Sequence, residues 1–188
     1  METRTLHVPG FAIGTAEDRK GLTGVTVILA PEGGAAAGVD VRGCAPGTRE
    51  TDLLSPEKTV QKIHAVVLSG GSAFGLESDC GVMNFLAEKG IGFPVGDVTV
   101  PIVCGAVLFD LSIGDPKVHP DLVMGYEAAS RASDTFPVGC YGAGTGASVG
   151  KLRGFEHAMK SGASYAEFSL PSGLFVGAYM AVNACGEI

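Results

Sequence analysis

The sequence has no apolar stretch long enough for a bilayer. Its longest, Leu174 to Cys185, is about half of the ~20 residues that a helical span needs. It has no basic excess either. Thirteen Lys and Arg stand against 20 Asp and Glu, for a net charge of -7 and a pI near 5.0, which excludes a phosphate-binding surface for nucleic acid. Charge of both signs is scarce, at 18% of residues. Hydrophobic residues make up 46%, and the mean hydropathy of +0.31 excludes a disordered chain, which would lack the material for a core. Met1-Glu2-Thr3-Arg4 has no apolar signal region, so the expected location is the cytoplasm. Five cysteines (Cys44, Cys80, Cys104, Cys140, Cys185) are an odd, widely spaced set without C-x-x-C. They match neither a zinc site nor a secreted disulfide scaffold, and read as reduced thiols serving as small core hydrophobes. His7, His64, His119 and His157 show no metal-ligand spacing and read as solvated or hydrogen-bonded side chains. No metal or organic cofactor is expected.

What the sequence has in excess is glycine: 29 residues, with no three-residue period, which excludes collagen. The chain of 188 residues fits one domain, and residues 1–188 are read as a single unit. So little charge in so short a chain implies burial against a partner subunit or companion chain. Val25 to Ala30 is a β-branched run bounded by Gly24 and Pro31 and reads as a strand, paired in a hairpin with a weaker strand at Ala37 to Val41. Ala65 to Leu68 reads as a strand covered on both faces. A helix follows, with Leu76, Cys80, Met83 and Ala87 inward, Glu77, Asn84 and Glu88 outward, and Gly90 as its stop. Ile102 to Leu111 is a strand region interrupted by Gly105. Asp121 to Ser133 is a helix presenting Leu122, Val123, Tyr126 and Ala129, after Pro120. Tyr165 to Leu170 and Leu174 to Ala184 read as strands joined at Pro171-Ser172-Gly173. Strands alternating with amphipathic helices give a layered α/β or α+β domain.

The glycine segments are where chemistry could sit. Gly142 to Ala147 satisfies a loose G-x-G-x-x-A, but Gly150, Arg153 and Gly154 oppose the helix that a dinucleotide fingerprint requires. Gly150-Lys151 fails as a phosphate loop, with Thr145 in place of the first glycine and Leu152 in place of the magnesium-binding Ser or Thr. Gly70-Gly71-Ser72-Ala73-Phe74-Gly75 lies between strand and helix, where a nucleophile elbow would lie, but Phe74 occupies the last glycine position. Ser72 reads as the helix N-cap, and the turn's amides could donate to a developing oxyanion. Lys151, at the end of a glycine-bounded loop, is either a surface lysine or a desolvated one with a lowered pKa. Asn183 is the one amide in its apolar strand, so it is either structural or an aimed donor.

Taken together, Leu22 to Ile28, Leu68 to Leu76, Val100 to Val103 with Ala106 to Leu111, Gly142 to Ala147 through Gly150-Lys151, and Ala181 to Ala184 resemble the DmpA family of self-processing aminopeptidases. That family includes L-aminopeptidase/D-esterases, β-aminopeptidases and nylon-oligomer hydrolases, and the resemblance runs in order from about Gly10 to Ile188. It implies a four-layer αββα sandwich of the DmpA/ornithine acetyltransferase type, made by a precursor that cuts itself into two chains. This chain would be the first, α, fragment. The nucleophile would be a Ser or Thr at the new N-terminus of the companion β fragment, and αβ units would assemble into homo-oligomers. The resemblance implies that Lys151 lies beside the nucleophile and that Asn183 orients or stabilises the oxyanion. It further implies that Gly71, Ser72, Phe74, Gly144 and Gly146 line the substrate site, with Phe74 where some members carry a tyrosine. The substrate class would be small peptides, amides or esters cleaved at the amino end, and the free amine would be met by a carboxylate such as Glu77, Asp79 or Asp110.

No nucleophile is assigned within the chain, and Glu187-Ile188 does not match the family's cleavage junction. The expectation is that further residues lie between Ile188 and the cut. Two rivals stand beside this reading. An ornithine acetyltransferase-like acyltransferase shares the two-chain sandwich, but the Met-Glu-Lys-Gly-Thr-Leu-type block of that family is not found here. A non-catalytic small-molecule binding relative would lack the nucleophile altogether.

Overall fold

The computed structural model describes residues 1–186; Glu187 and Ile188, the expected non-junction, lie outside the described residues. In chain order the strands and helices are β1 (Thr3–Thr5), β2 (Ala12–Asp18), β3 (Thr23–Leu29), β4 (Thr48–Arg49), β5 (Ala65–Ser69), α1 (Ser78–Glu88), β6 (Phe93–Val95), β7 (Val98–Val100) and β8 (Val103–Val107). There follow α2 (Leu122–Ser130), β9 (Thr135–Pro137), β10 (Ser148–Val149), β11 (Met159–Lys160), β12 (Ala163–Ser169) and β13 (Phe175–Ala181). The central sheet has five strands in the order β2-β3-β5-β8-β4. Only β5 and β8 run parallel in it; the other pairs are antiparallel.

Alternation along β3 assigns the two faces of this sheet. Val25 and Val27 point to one side, where they join Ala16, Ala65, Val67 and Val103 beneath Val82 and Leu86 of α1 and Ala128 and Ala129 of α2. Ile28 points to the other side and packs with Ile13, Phe136, Tyr165 and Tyr179, the last two from the β12–β13 hairpin. The layers are therefore helices, sheet and hairpin. The helices cross at glycines: a Cβ on Gly81 would overlap the Leu122 carbonyl, and one on Gly125 the Ser78 carbonyl. That backbone-to-backbone approach explains which α2 residues are buried. They are Gly125, Ala128 and Ala129, whereas Leu122 and Val123, expected on the buried face, are exposed.

Several expectations are corrected. The hairpin partner of β3 is β2, not Ala37 to Val41, which forms no strand; the 37–47 segment carries three glycines and a proline and makes an open arm. Ser72 is not an N-cap. Gly71 precedes the 3-10 turn Ser72–Glu77, Ser72 itself has φ of +52°, and no side chain caps the turn. The carboxylate of Asp110 instead accepts from the Gly71 amide, and the Leu108 carbonyl accepts from the Ser72 amide. The α-helix starts at Ser78 and buries Ser78, Asp79, Gly81, Val82 and Leu86, with Cys80 and Met83 half-buried and Ala87 exposed. Gly105 does not interrupt its strand but lies within β8. Of the free cysteines only Cys104 is a buried core residue; Cys44, Cys140 and Cys185 are exposed. No helix of the described residues is long and apolar enough to cross a membrane.

Candidate functional site

Lys151 and Asn183, far apart in sequence, meet. The αL conformation of Gly150 ends β10 and turns the chain so that Lys151 runs back along it. The backbone amides of Gly150 and Lys151 donate to the carbonyls of Gly186 and Cys185, which docks the segment after β13 against this turn. Lys151 Nζ then lies 3.0 Å from Asn183 Oδ1, 3.2 Å from the Asn183 carbonyl, 2.9 Å from the Ser148 carbonyl and 3.3 Å from Ser148 Oγ. Burial holds its pKa below the ordinary lysine value, against an upward pull from the nearby Cys185.

The Asn183 amide is fixed by its neighbours. Oδ1 accepts from the Ser148 amide at 2.9 Å and from Lys151, while Nδ2 donates to the Phe109 carbonyl at 2.8 Å. Those partners also decide which end of the amide is which, since donors face Oδ1 and a carbonyl faces Nδ2. An amide nitrogen carries two hydrogens. One is used on Phe109, leaving a second N–H to donate.

The bond to Phe109 ties this pair to the Gly70-Gly71 turn. Asp110, the next residue, is buried, accepting from Gly71 N at 2.7 Å through Oδ1 and from Thr23 Oγ1 at 2.8 Å through Oδ2. A Cβ on Gly70 or on Gly146 would collide with this carboxylate, so Asp110 is wedged between the two glycine loops. Burial raises its pKa, opposed by the hydrogen bonds from Gly71 and Thr23 and by Lys160. Gly144 is also buried, in a turn where a Cβ would meet the Gly139 carbonyl and the Ala163 amide. Phe74 stands on the surface at 60% exposure, stacked on His119 with centroids 4.8 Å apart.

The three carboxylates singled out from the sequence are therefore unequal. Glu77 is exposed, Asp110 is engaged, and Asp79 is buried at 1% exposure with neither oxygen hydrogen-bonded, its pKa pushed up to about 7 by burial despite the nearby Arg49. Of the histidines expected to be solvated or hydrogen-bonded, His64 is buried and accepts from the Ile102 amide at 3.1 Å, whereas His119 Nδ1 is buried without a hydrogen-bond partner. Sequence reasoning missed Ser148, the Phe109 carbonyl and Lys160, whose Nζ donates to the carbonyls of Gly144, Ala147 and Ser161. Ser148 was visible inside the Gly146-to-Lys151 run, but a backbone carbonyl such as that of Phe109 leaves no sequence signal. Among the described residues no three His, Cys, Asp or Glu side chains converge as metal ligands.

The profile of peptidase family S58 matches residues 5–187. The chain belongs to peptidase family S58. An uncharacterized aminopeptidase of Mycobacterium leprae is 46% identical over 173 residues, covering 88% of this chain and 46% of that protein. A 6-aminohexanoate-oligomer endohydrolase of Kocuria sp. is 38% identical over 152 residues, covering 80% of this chain and 40% of that protein. The chain thus spans about half the length of the curated relatives that it matches. The L-aminopeptidase D-Ala-esterase/amidase of Ochrobactrum anthropi, described as a variant of the Ntn hydrolase fold, superimposes with a TM-score of 0.68 at 17% identity, over 94% of this chain and 52% of that one. This S58 chain shares that fold, which is the sandwich architecture that the sequence resemblance implied.

Proposed function

We propose that this S58 chain is the first, α, portion of an N-terminal-nucleophile aminopeptidase that cleaves small peptides, amides or esters at the amino end. Residues 1–188 form one unit of it, and the remaining half of the family's length supplies a Ser or Thr nucleophile exposed by self-cleavage. The single observation that carries this reading is the locked Asn183 amide, with one N–H left to donate and Lys151 Nζ 3.0 Å from its oxygen. A donor held rigidly in advance of charge development stabilises a tetrahedral oxyanion without reorganisation. A lysine with a depressed pKa can carry the proton between the nucleophile and the leaving amine. In turnover the hydroxyl attacks the carbonyl, its proton passes to the neighbouring amine base, the leaving amine takes a proton, and water hydrolyses the acyl-enzyme. Gly71, Ser72, Phe74, Gly144 and Gly146 line or support the approach to this centre. The αβ units assemble as homo-oligomers in the cytoplasm. The test is the full-length protein with Lys151→Ala or Asn183→Ala, assayed for self-cleavage and for hydrolysis of aminoacyl p-nitroanilides. Each substitution is expected to lower kcat by about 10²–10³-fold, the usual cost of removing one oxyanion donor or proton carrier, with circular dichroism unchanged. Wild-type cleavage and turnover in both variants would overturn the reading.

A further inference from the structure

Lys160 has no place in the scheme above, yet it lies beneath the loop that carries the site. Its Nζ donates to the carbonyls of Gly144 and Ala147 at 2.9 Å each and of Ser161 at 2.8 Å, which uses all three of its hydrogens on backbone. The Ala147 carbonyl also accepts from the Ser161 amide. One consequence follows from the geometry of a peptide group, whose C=O and N–H point in opposite directions. With the Ala147 carbonyl drawn down onto Lys160, the N–H of the same peptide, that of Ser148, is driven toward Asn183 Oδ1, where it bonds at 2.9 Å.

The chain of contacts is therefore continuous. It runs from Lys160 Nζ through the Ala147–Ser148 peptide to the Asn183 amide, and from there to Lys151 Nζ on one side and the Phe109 carbonyl on the other. Hydrogen bonds in such a series polarise one another, and a cation at one end strengthens donation along the whole. The titratable groups facing the two ammonium groups differ. Cys185 faces Lys151; Cys140 and the buried Asp110 face Lys160. Burial lowers the pKa of both lysines.

We infer that Lys160 is a positioning residue that acts through the Ala147–Ser148 peptide to aim the Asn183 amide. The inference rests on the reading that Lys151 and Asn183 serve the reaction, but its first readout does not. In competitive acetylation of the full-length protein with acetic anhydride across pH 7–11, the labelling of each lysine is followed by mass spectrometry. Lys160→Met is expected to raise the midpoint of Lys151 labelling toward the ordinary lysine value, because an Asn183 amide released from its aim no longer holds Lys151 Nζ in its desolvated place. Lys160→Arg, which keeps the charge, is expected to restore the wild-type midpoint at least in part. Where Lys160→Met fails to fold, Lys160→Gln, which keeps a donor for the Ala147 carbonyl, is measured in its place and is expected to shift the Lys151 midpoint in the same direction by less. A Lys151 midpoint unmoved in Lys160→Met, or in Lys160→Gln where that replaces it, overturns the inference. The second readout is turnover. In Lys160→Met, kcat is expected to fall about 10²-fold through misplacement of the donor, with KM changed by less than about threefold. A Lys151 midpoint that shifts in Lys160→Met, together with a wild-type protein that shows no hydrolysis, would sink the aminopeptidase reading and leave the Lys160 linkage standing.

Discussion

The two faces of the central sheet are built to different degrees of completion. On one, α1 and α2 lie so close that their backbones touch at Gly81 and Gly125, and Val25, Val27, Val67 and Val82 lose all contact with solvent. On the other, the β12–β13 hairpin covers Ile13 and Ile28 through Tyr165 and Tyr179, but its own outer surface is bare. Phe168 is paired with Val176, and on the same face, beyond the Ala166–Ala178 pair, Met180 is paired with Ser164; Phe168, Val176 and Met180 stand 55–65% exposed. The closed face is a finished core, dominated by burial of apolar area. Under the proposed two-chain reading, the open hairpin is the layer that the companion chain covers. Lys151 and Asn183 meet at the end of that open hairpin, just past β13.

This contrast can be broken at the closed face first. Gly125→Val would drive a Cβ into the Ser78 carbonyl, and overpacking of this kind is expected to cost about 3 kcal/mol or more. Urea denaturation measures it, and a midpoint within error of the wild type would refute the close helix contact. Next in size is Asp79, buried beside Gly105 with both oxygens unpartnered. A carboxyl whose folded pKa is raised from 3.8 to about 7 binds its proton more tightly in the folded state. Stability from this group is therefore fully present below about pH 4, is lost as pH rises toward 7, and is absent above that. Asp79→Asn is expected to gain about 2 kcal/mol at pH 8, less than the roughly 4 kcal/mol that the full shift represents, because a buried amide wants partners of its own. At pH 4 the gain should vanish. Equal stability of the two proteins at pH 8 would show that the carboxyl is hydrated or paired.

Smaller again is the link between the closed core and the glycine loops. Thr23→Val removes the hydroxyl that donates to Asp110 Oδ2 and should cost about 1–2 kcal/mol, the price of one buried charge-assisted hydrogen bond. The least expected effect lies on the open hairpin. Met180→Lys should change the stability of the separately expressed chain by no more than about 0.5 kcal/mol. In the full-length protein the same lysine would be buried without a partner and should cost several times as much. Equal effects in the two contexts would mean that the hairpin face is a surface in both.

Much of this architecture was legible in the residues. The runs at Val25, Ala65 and Phe175 announce strands because their positions are apolar and β-branched or aromatic, and Gly70-Gly71 and Pro171-Ser172-Gly173 mark turns where turns occur. β2 was not legible. Its helix-facing positions are Gly14, where the α2 backbone leaves no room for a Cβ, and the small core residue Ala16, so the strand has no apolar signature of its own. The face of α2 misled for the same reason: close approach selects Gly and Ala, and the larger Leu122 and Val123 are left outside. At the site, Lys151 and Asn183 stood out as unusual residues in apolar or glycine-rich surroundings, but their meeting depends on the Cys185 and Gly186 carbonyls docking onto the β10 turn, which no periodicity encodes.

The most direct test of the central claim, that this chain is half of an active site completed by a self-cut second chain, is the intact mass of the full-length gene product under denaturing conditions, with the N-terminal residue of each species. Two chains are expected, the second beginning with Ser or Thr. A single uncut chain in a catalytically competent preparation would contradict the account.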